Sequence, residues 1–224
     1  MSIENGWLDW TARNGGPLNK VYAEPNVGEG ICWHSMEGGY FGSLAEMMKP
    51  ERQASWTFSL RLDGQLVQHY PVDESCWASG NFHANTHFWS VELEGTFNMP
   101  INTAQMATAK KLIAEWEGHT GQVATRPTTL LEHREVATRW SPNAGGTACP
   151  SERYAPLWAA LEEQEEDMTR AEVLALLAEK GLMGPGVPTL ARLDEFVTKA
   201  FVAVQPTRSM AGIRKALHPD GPQP

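Results

Sequence analysis

The feature that most constrains the fold of this chain is a β-hairpin pattern in residues 55–70. Residues 55–62 read as a strand, Asp63 and Gly64 supply a two-residue turn, and residues 65–70 alternate before Pro71. An Asp-Gly pair between two strand-like runs is the strongest short-range signal for two antiparallel neighbours. The other elements are therefore expected to build on a sheet.

Strand and helix patterns occur on both sides of this hairpin. Three further runs are short and β-prone: 30–35, 89–93 and 128–133. Three segments have helical features: 43–49 behind a Ser cap, 103–116 and 150–161. The middle segment repeats apolar residues at helical spacing and is closed by glycine. This mixture predicts an α/β (α+β mixed) fold, with a central mostly β sheet flanked by helices.

Charge is unevenly distributed along the 224 residues and indicates a domain boundary. Residues 1–165 carry 11 basic and 20 acidic side chains, whereas residues 166–224 carry 7 of each. We expect one main domain over residues 1–165, including an irregular Gly- and Pro-rich arm to about residue 29. The tail, residues 166–224, has a capping box at Thr169 and Glu172 followed by apolar stripes, which predicts a small helical appendage.

Composition and charge argue against several classes of protein. The formal net charge of -9 disfavours a nucleic-acid binder, which must neutralise phosphates. No apolar run approaches the roughly 20 residues of a transmembrane helix. The first residues lack the basic and apolar regions of a secretory signal, so we expect synthesis and residence in a cytoplasm. Three scattered cysteines are too few for a disulfide framework.

Two histidines and one cysteine have contexts that set them apart. His34 ends a β-prone run beside a Gly-rich turn, and His133 closes another apolar run. Cys149 follows in a loop bounded by glycines and Pro150. Two imidazoles and a thiolate are good ligands for Zn²⁺, and three protein ligands leave a fourth position for water, as in catalytic sites. From these residues alone, packed or surface side chains remain an equal alternative.

Six motifs follow one another in a fixed order along residues 30–165. They are WHS (33–35), SWTFSL with the later DG (55–64), CWASG (76–80), SVELEG (90–95), EHRE (132–135) and TACPS (147–151). This set resembles the zinc amidase family of peptidoglycan recognition proteins, phage lysozyme-type amidases and bacterial anhydro-muropeptide amidases. The resemblance implies a peptidoglycan-recognition-protein-like amidase fold with Zn²⁺ as cofactor, held by His34, His133 and Cys149. The implied reaction is cleavage of peptidoglycan between N-acetylmuramic acid and L-alanine.

The resemblance also suggests which residues assist the metal. Glu92 in SVELEG matches the glutamate that some members place beside the zinc-bound water, where a carboxylate can relay a proton; a solvent-facing strand residue is the alternative. Thr147 stands where phage relatives have a lysine, and its hydroxyl can hydrogen-bond an oxyanion without supplying full charge. Trp56 and Thr57 replace a Tyr or His pair of many members, so a tyrosine-dependent mechanism is not expected.

Tryptophans are the candidates for contacts with the sugar or the peptide. Flat indole rings suit the apolar faces of sugars, and Trp56, Trp77 and Trp89 lie in or beside the family motifs. Packing in the core is at least as good an explanation for each. We take Trp56 and Trp77 as the expected substrate-binding pair.

The sequence leaves three biological roles open. A wall hydrolase without a signal suits a phage or prophage endolysin, held in the host cytoplasm and released to the wall through a holin. A cytoplasmic amidase that recycles soluble muropeptides and a recognition module that binds peptidoglycan without cutting it are the alternatives. The complete ligand set favours catalysis. The C-terminal helices could also serve oligomerisation.

Overall fold

The computed structural model describes residues 3–140 and 146–166. The chain divides into two compact units after Leu157, and the sheet and the candidate site described below belong to the first. The predicted helical tail lies outside the described residues apart from its first residue, and the predicted boundary at 165 stays a prediction. Within the described ranges, no helix combines the length and apolar character needed to cross a bilayer.

The first five elements along the described residues are strands, and helices are interspersed among the later strands. The strands are β1 (Ile3–Glu4), β2 (Trp7–Leu8), β3 (Ala12–Arg13), β4 (Val21–Pro25), β5 (Gly30–Ser35), β6 (Phe58–Leu60), β7 (Leu66–Gln68), β8 (Glu74–Cys76), β9 (Phe88–Leu93) and β10 (Leu130–Glu132). The helices are α1 (Tyr40–Met48), α2 (Phe82–His87), α3 (Thr103–Thr120), α4 (His133–Trp140) and α5 (Ala155–Glu166).

Six strands form the central sheet in the order β10-β5-β9-β6-β7-β3. The pairs β10–β5, β5–β9 and β9–β6 are parallel, the β6–β7 hairpin is antiparallel, and β3 joins β7 in parallel. The carboxyl ends of β10, β5, β9 and β6 therefore meet at one edge. Residues that follow these strands are brought together there despite their distance in sequence.

The two longest strands, β5 and β9, divide their side chains between the two faces of the sheet. Residues in register on parallel neighbours point to the same side, and successive residues alternate. The apolar set is Ile31, Trp33, Trp89 and Val91, all of them buried. The polar set is Cys32, His34, Ser90 and Glu92. One face thus belongs to the core, and the other can carry a site.

Helix α3 is the longest described helix, and it lies along β6. Its first turn is closed by a capping box in which Asn102 and Gln105 exchange side-chain and backbone hydrogen bonds. Gly121 ends it in the left-handed conformation, with φ of 70°. The Gln105 amide also donates to the carbonyls of Leu60 and Glu94, which ties the helix to β6 and β9. The buried apolar residues of α3 are Ala109, Leu112, Ile113 and Trp116.

The first thirty residues are more ordered than predicted. They contain four strands, of which β3 extends the central sheet and β4 pairs with β8. Lys20 is buried, and its ammonium donates to the carbonyls of Met47 and Lys49. The expectation of an irregular arm to residue 29 was therefore wrong, because long-range pairing orders segments that have no period of their own.

The predicted hairpin is present, with a different turn. The strands end at Leu60 and Leu66, and the Arg61 amide donates to the Gln65 carbonyl across the loop. Three residues, 62–64, form the turn instead of two. Gly64 has φ of 83°, and its amide donates to the Arg61 carbonyl. A glycine in this conformation is typical of three-residue hairpin loops.

Several predicted boundaries also shift. Helix α1 begins at Tyr40 behind Gly39, which makes no side-chain cap, so the predicted Ser cap was wrong. His133 is the first residue of α4 instead of the last of a strand, and α5 begins at Ala155 instead of Pro150. Helices α2 and α4 were not predicted, since short helices carry too few residues to show a period.

Candidate metal centre

The register of the central sheet brings His34, Glu92 and His133 side by side. His34 in β5 is the Cα partner of Glu92 in β9, so both side chains lie on the polar face. Glu132 in β10 pairs with Trp33, which leaves His133, the next residue, beside His34. Their imidazole centroids are 4.5 Å apart. Two neighbouring strands and the first residue of α4 thus supply three polar side chains at one edge of the sheet.

Cys149 completes a group of three potential metal ligands. One ligand atom from each of His34, His133 and Cys149 lies within 4.8 Å of the others. The Cys149 thiol accepts a hydrogen bond from the Ser35 amide at 3.2 Å, and the Cys149 carbonyl accepts one from the Arg134 amide at 2.7 Å. These bonds hold the cysteine between the residues that follow the two histidines.

Ser79 lies against both imidazoles and was not singled out from the sequence. Its carbonyl is 3.1 Å from His133 Nε2 and so accepts from that nitrogen, which leaves Nδ1 as the lone-pair donor. Its hydroxyl lies 3.4 Å from His34 Nε2. The Asn85 side chain accepts from the Ser79 amide and holds this loop in place. The available signal was its position inside the CWASG motif.

The protonation states of the two histidines suit metal binding. Burial lowers the pKa of His34 well below its usual range, and the nearby His133 adds to the effect. Burial also lowers the pKa of His133. Both rings are therefore neutral near pH 7, the form that binds metal. Burial, followed by the Glu92 carboxylate, raises the pKa of Cys149 to about 12; a coordinated cation acts in the opposite direction on a thiol. The donor set fits Zn²⁺.

Glu92 has the environment of a proton carrier. Burial raises its pKa to about 8, although the Arg153 guanidinium opposes the shift. Its Oε2 atom is buried and has no hydrogen-bond partner among the described residues. Glu94, the other glutamate of the motif, accepts from the amides of Tyr40 and Leu62 at 2.8 Å each. Glu94 is thus occupied by the backbone, whereas Glu92 is available to the site.

Arg153 and Tyr154 form hydrogen bonds to the strand ends that carry the site. They were not singled out from the sequence either. The Arg153 guanidinium is buried and donates to the Ser35 hydroxyl and to the carbonyls of Leu93, Glu94, Gly95 and Met99. The Tyr154 hydroxyl donates to the His34 carbonyl at 3.1 Å. Together they fasten the ends of β5 and β9. The only sequence signal was their place two and three residues after the TACPS motif.

Thr147 is positioned by the loop that carries Cys149. Its hydroxyl oxygen accepts from the Cys149 amide at 3.1 Å, a local turn that orients the cysteine. The hydroxyl proton is not used in this bond. The oxyanion role expected for Thr147 stays a prediction, and its visible contribution is to the shape of the loop.

The tryptophans predicted to bind substrate lie in different environments. Trp56 is only 6% exposed, packs near Met47 and Tyr70, and donates its indole N–H to the Ser59 hydroxyl. The prediction that it binds substrate was therefore wrong, because its ring belongs to the core; Trp89 is likewise buried. Trp77 is half-buried and lines a cleft of about 580 Å³.

Two residues that line this cleft are sequence neighbours of Ser79. Its lining includes Ala78 and Gly80, the neighbours of Ser79, which touches both histidines. Tyr22 lies on the same cleft, with its ring 6.0 Å from that of Trp77 in an edge-on contact. The loop that holds Ser79 against the two imidazoles thus also contributes to a cleft with two aromatic side chains.

Comparison with known proteins agrees with this picture. A family model described as N-acetylmuramoyl-L-alanine amidase matches residues 24–152, more than half of the chain. No curated protein matches the sequence closely enough to count as a relative.

Solved structures with a similar fold include a selenomethionine derivative of AmpD (TM-score 0.52, 19% identity, 71% of this chain and 98% of that chain). They also include a mutant endolysin from Bacillus subtilis (0.51, 18%, 68% and 96%) and PlyL (0.53, 16%, 69% and 95%). At these identities the likeness shows the fold alone, and it confirms the predicted mixed α/β architecture with a central sheet flanked by helices.

Proposed function

The chain belongs to the N-acetylmuramoyl-L-alanine amidase family, and we propose that it hydrolyses the amide bond between N-acetylmuramic acid and L-alanine in peptidoglycan with the help of Zn²⁺. The observation that carries the proposal is the convergence of His34, His133 and Cys149 within 4.8 Å, with Glu92 in register beside His34. Two neutral imidazoles and a thiolate, with a carboxylate nearby, are the parts that amide hydrolysis by metal-activated water requires.

Each residue has a distinct part in this proposal. His34, His133 and Cys149 would hold Zn²⁺, which when bound polarises the scissile carbonyl and lowers the pKa of water. Glu92 takes a proton from the attacking water and delivers it to the leaving nitrogen. Burial raises the pKa of this carboxyl, whereas a cation held by the neighbouring ligands would favour the carboxylate that accepts the proton.

The supporting residues keep this arrangement in place. Ser79 orients both imidazoles, and Arg153 and Tyr154 fasten the strand ends beneath them. Trp77 and Tyr22, which line the cleft of about 580 Å³, would contact the glycan or the stem peptide. Rings with apolar faces and polar tips suit a substrate that combines sugar and peptide.

We further propose an endolysin-type role on intact cell wall, with the protein held in a host cytoplasm until a holin releases it. The support for this setting is the mutant endolysin from Bacillus subtilis among the proteins of similar fold. Recycling of soluble muropeptides is the competing role, since both AmpD and an endolysin are among the similar folds. Comparing rates on purified sacculi and on soluble muropeptides decides between them; activity confined to the soluble fragments would refute the endolysin role.

The test of the hydrolase proposal separates metal binding from proton transfer. Cys149→Ala is expected to lose both the tightly bound zinc and the release of stem peptides from sacculi. Glu92→Gln keeps its zinc but loses about 10²- to 10⁴-fold in rate, the usual contribution of a general acid–base. The matched control is Cys76→Ala, a buried cysteine outside the ligand group, which is expected to retain both zinc and activity.

Three results would contradict the proposal. Full activity of Cys149→Ala would exclude the metal centre as the catalyst. Unchanged rates in Glu92→Gln would exclude its part in proton transfer. A zinc-loaded wild-type protein that binds sacculi but releases no peptide would be a recognition module.

A further inference from the structure

A second cluster of metal-binding side chains lies outside the centre described above. Glu29, His83 and His87 each place one ligand atom within 4.8 Å of the others. The two imidazole rings are stacked, with centroids 3.9 Å apart and planes inclined by 29°. None of these residues is shared with the group of His34, His133 and Cys149.

The backbone holds the three residues in place. His83 and His87 are four residues apart in α2, so they lie on one side of that helix. Glu29 directly precedes β5, and its amide donates to the His87 carbonyl at 2.6 Å. Two residues earlier, the Val27 amide donates to the Thr86 carbonyl at 2.9 Å. The carboxylate is thus anchored beside the histidines by main-chain bonds.

Hydrogen bonding leaves a nitrogen of His87 available to a cation. His87 Nδ1 lies 3.0 Å from the His83 carbonyl, which can only accept, and 2.8 Å from the Thr86 hydroxyl, whose own proton is directed to the Phe82 carbonyl at 2.9 Å. Nδ1 therefore carries the proton. Nε2 then has the free lone pair, and it faces Glu29 Oε1 at 3.9 Å. A metal-binding histidine commonly donates its other ring N–H to a carbonyl in this way.

The spacing suits an ion better than a direct bond. At 3.9 Å the Glu29 and His87 atoms are too far apart for a hydrogen bond. Tetrahedral bonds of about 2.1 Å place neighbouring ligand atoms about 3.4 Å apart. Glu29 is 47% exposed, so a small rotation of its side chain closes the difference.

The residues around His83 determine how tightly this site is expected to bind a cation. Burial, then the nearby His87, lowers the pKa of His83, which keeps its ring neutral at pH 7. The Trp140 ring lies 4.6 Å from His83 and covers it on one side. Arg139 also lowers that pKa, and its guanidinium donates to the carbonyls of Pro127 and Thr128. A fixed positive charge nearby weakens cation binding, so this site is expected to be the weaker of the two.

We propose that Glu29, His83 and His87 form a second cation site, selective for Zn²⁺, Ni²⁺ or Cu²⁺ over Ca²⁺ and Mg²⁺. Two imidazoles and one carboxylate are ligands that borderline transition metals prefer, whereas the alkaline-earth ions require mostly oxygen. An ion here would join the start of β5 to α2. His34 lies in that strand, and Ser79 lies in the loop that precedes that helix, so the second ion would brace two elements that frame the first centre.

The test is titration of the metal-free full-length protein with Zn²⁺ and with Ni²⁺ by calorimetry. Wild type is expected to show a tight and a weaker class of Zn²⁺ site, with affinities at least about 10-fold apart. His87→Ala should lose the weaker class and keep the tight one, and Cys149→Ala should do the reverse. Glu29→Gln, an exposed change that leaves both imidazoles, should weaken the second class about 10-fold.

Controls make the result decisive. His119→Ala removes an exposed histidine outside both groups and should bind like wild type. His218 lies outside the described residues, so the comparison of variants carries the conclusion instead of the total stoichiometry. Cu²⁺ electron paramagnetic resonance of the double variant His34→Ala/Cys149→Ala, which keeps only one imidazole at the first centre, should show two coordinated nitrogens, and adding His83→Ala should remove one of them. If His87→Ala or His83→Ala binds as much Zn²⁺ and Ni²⁺ as wild type, the second site does not exist.

Discussion

His69 provides a quantitative prediction about acid stability. Its ring is 1% exposed, Nδ1 donates to the Asn14 carbonyl at 2.6 Å, and Nε2 lies 2.8 Å from the Ser59 hydroxyl. That hydroxyl accepts from the Trp56 indole, so its own proton is directed to Nε2. The network is complete only when His69 is neutral. Burial accordingly lowers its pKa to about 4.

The sign and size of the effect follow from linkage. With a pKa of 6.5 unfolded and about 4 folded, the unfolded state binds the proton first as the pH falls. Stability contributed by neutral His69 is complete above pH 6.5 and is lost between about pH 6.5 and pH 4. At 1.36 kcal/mol per pKa unit, the loss is about 1.4 kcal/mol at about pH 5.5 and about 2.6 kcal/mol at about pH 4.5.

The perturbation is His69→Gln, which keeps a polar side chain but removes the titration. At about pH 7.5 the variant is expected to be less stable than wild type by about 1–3 kcal/mol, because buried hydrogen bonds are lost. At about pH 4.5 the difference should shrink to near zero or reverse. The assay is urea unfolding over this pH range, with a chelator present so that metal loss from His34 and His133 does not contribute.

The loss of stability with falling pH must be compared between wild type and the variants, since other buried groups also titrate. His119→Gln, which removes an exposed imidazole, should retain the acid sensitivity that His69 causes. If wild type and His69→Gln lose stability in parallel from about pH 7.5 to about pH 4.5, His69 is not neutral and buried in solution, and the assignment of its network is wrong.

Three further predictions concern the site and its support. Ser79→Ala removes the hydroxyl beside the imidazoles but keeps the carbonyl, so zinc affinity should fall about 10- to 100-fold in chelator competition without being abolished; unchanged affinity would exclude an orienting role. Trp77→Ala should raise KM for soluble muropeptide with little change in stability, whereas Trp56→Phe should lower stability by about 1 kcal/mol and leave KM unchanged; the opposite pattern would reverse their assigned roles. Arg153→Met leaves several buried carbonyls without a donor and should cost at least about 3 kcal/mol in urea unfolding, a loss that a neutral result would contradict.

Local patterns predicted the framework of the fold well. The run at residues 30–35 became β5 without any change of boundary, and 89–93 became β9 with one added residue. Helix α3 begins and ends with capping residues that can be read along the chain. These elements were predictable because a strand alternation or a helical stripe is a property of neighbouring residues.

Elements that depend on distant partners were not predictable in this way. The first thirty residues have no period, and their strands β3 and β4 exist because β7 and β8 offer unpaired edges. Trp56 and Trp77 lie 21 positions apart in similar motif contexts, yet one is core and the other lines a cleft. Burial is decided by the packing of several elements at once, which no short window contains.

For the candidate site, the sequence by itself determined the chemistry: two histidines and a glutamate within β-prone runs, and a cysteine in a loop bounded by glycines and Pro150. Tertiary structure alone decided their geometry, because parallel register sets His34 opposite Glu92 and places His133 beside them. Ser79 and Arg153 could be assigned to the site only from the tertiary structure, since a hydrogen bond between residues far apart in the chain leaves no local pattern. The pairing of Glu29 with His83 and His87 arose in the same way, from a main-chain bond that joins segments nearly sixty residues apart.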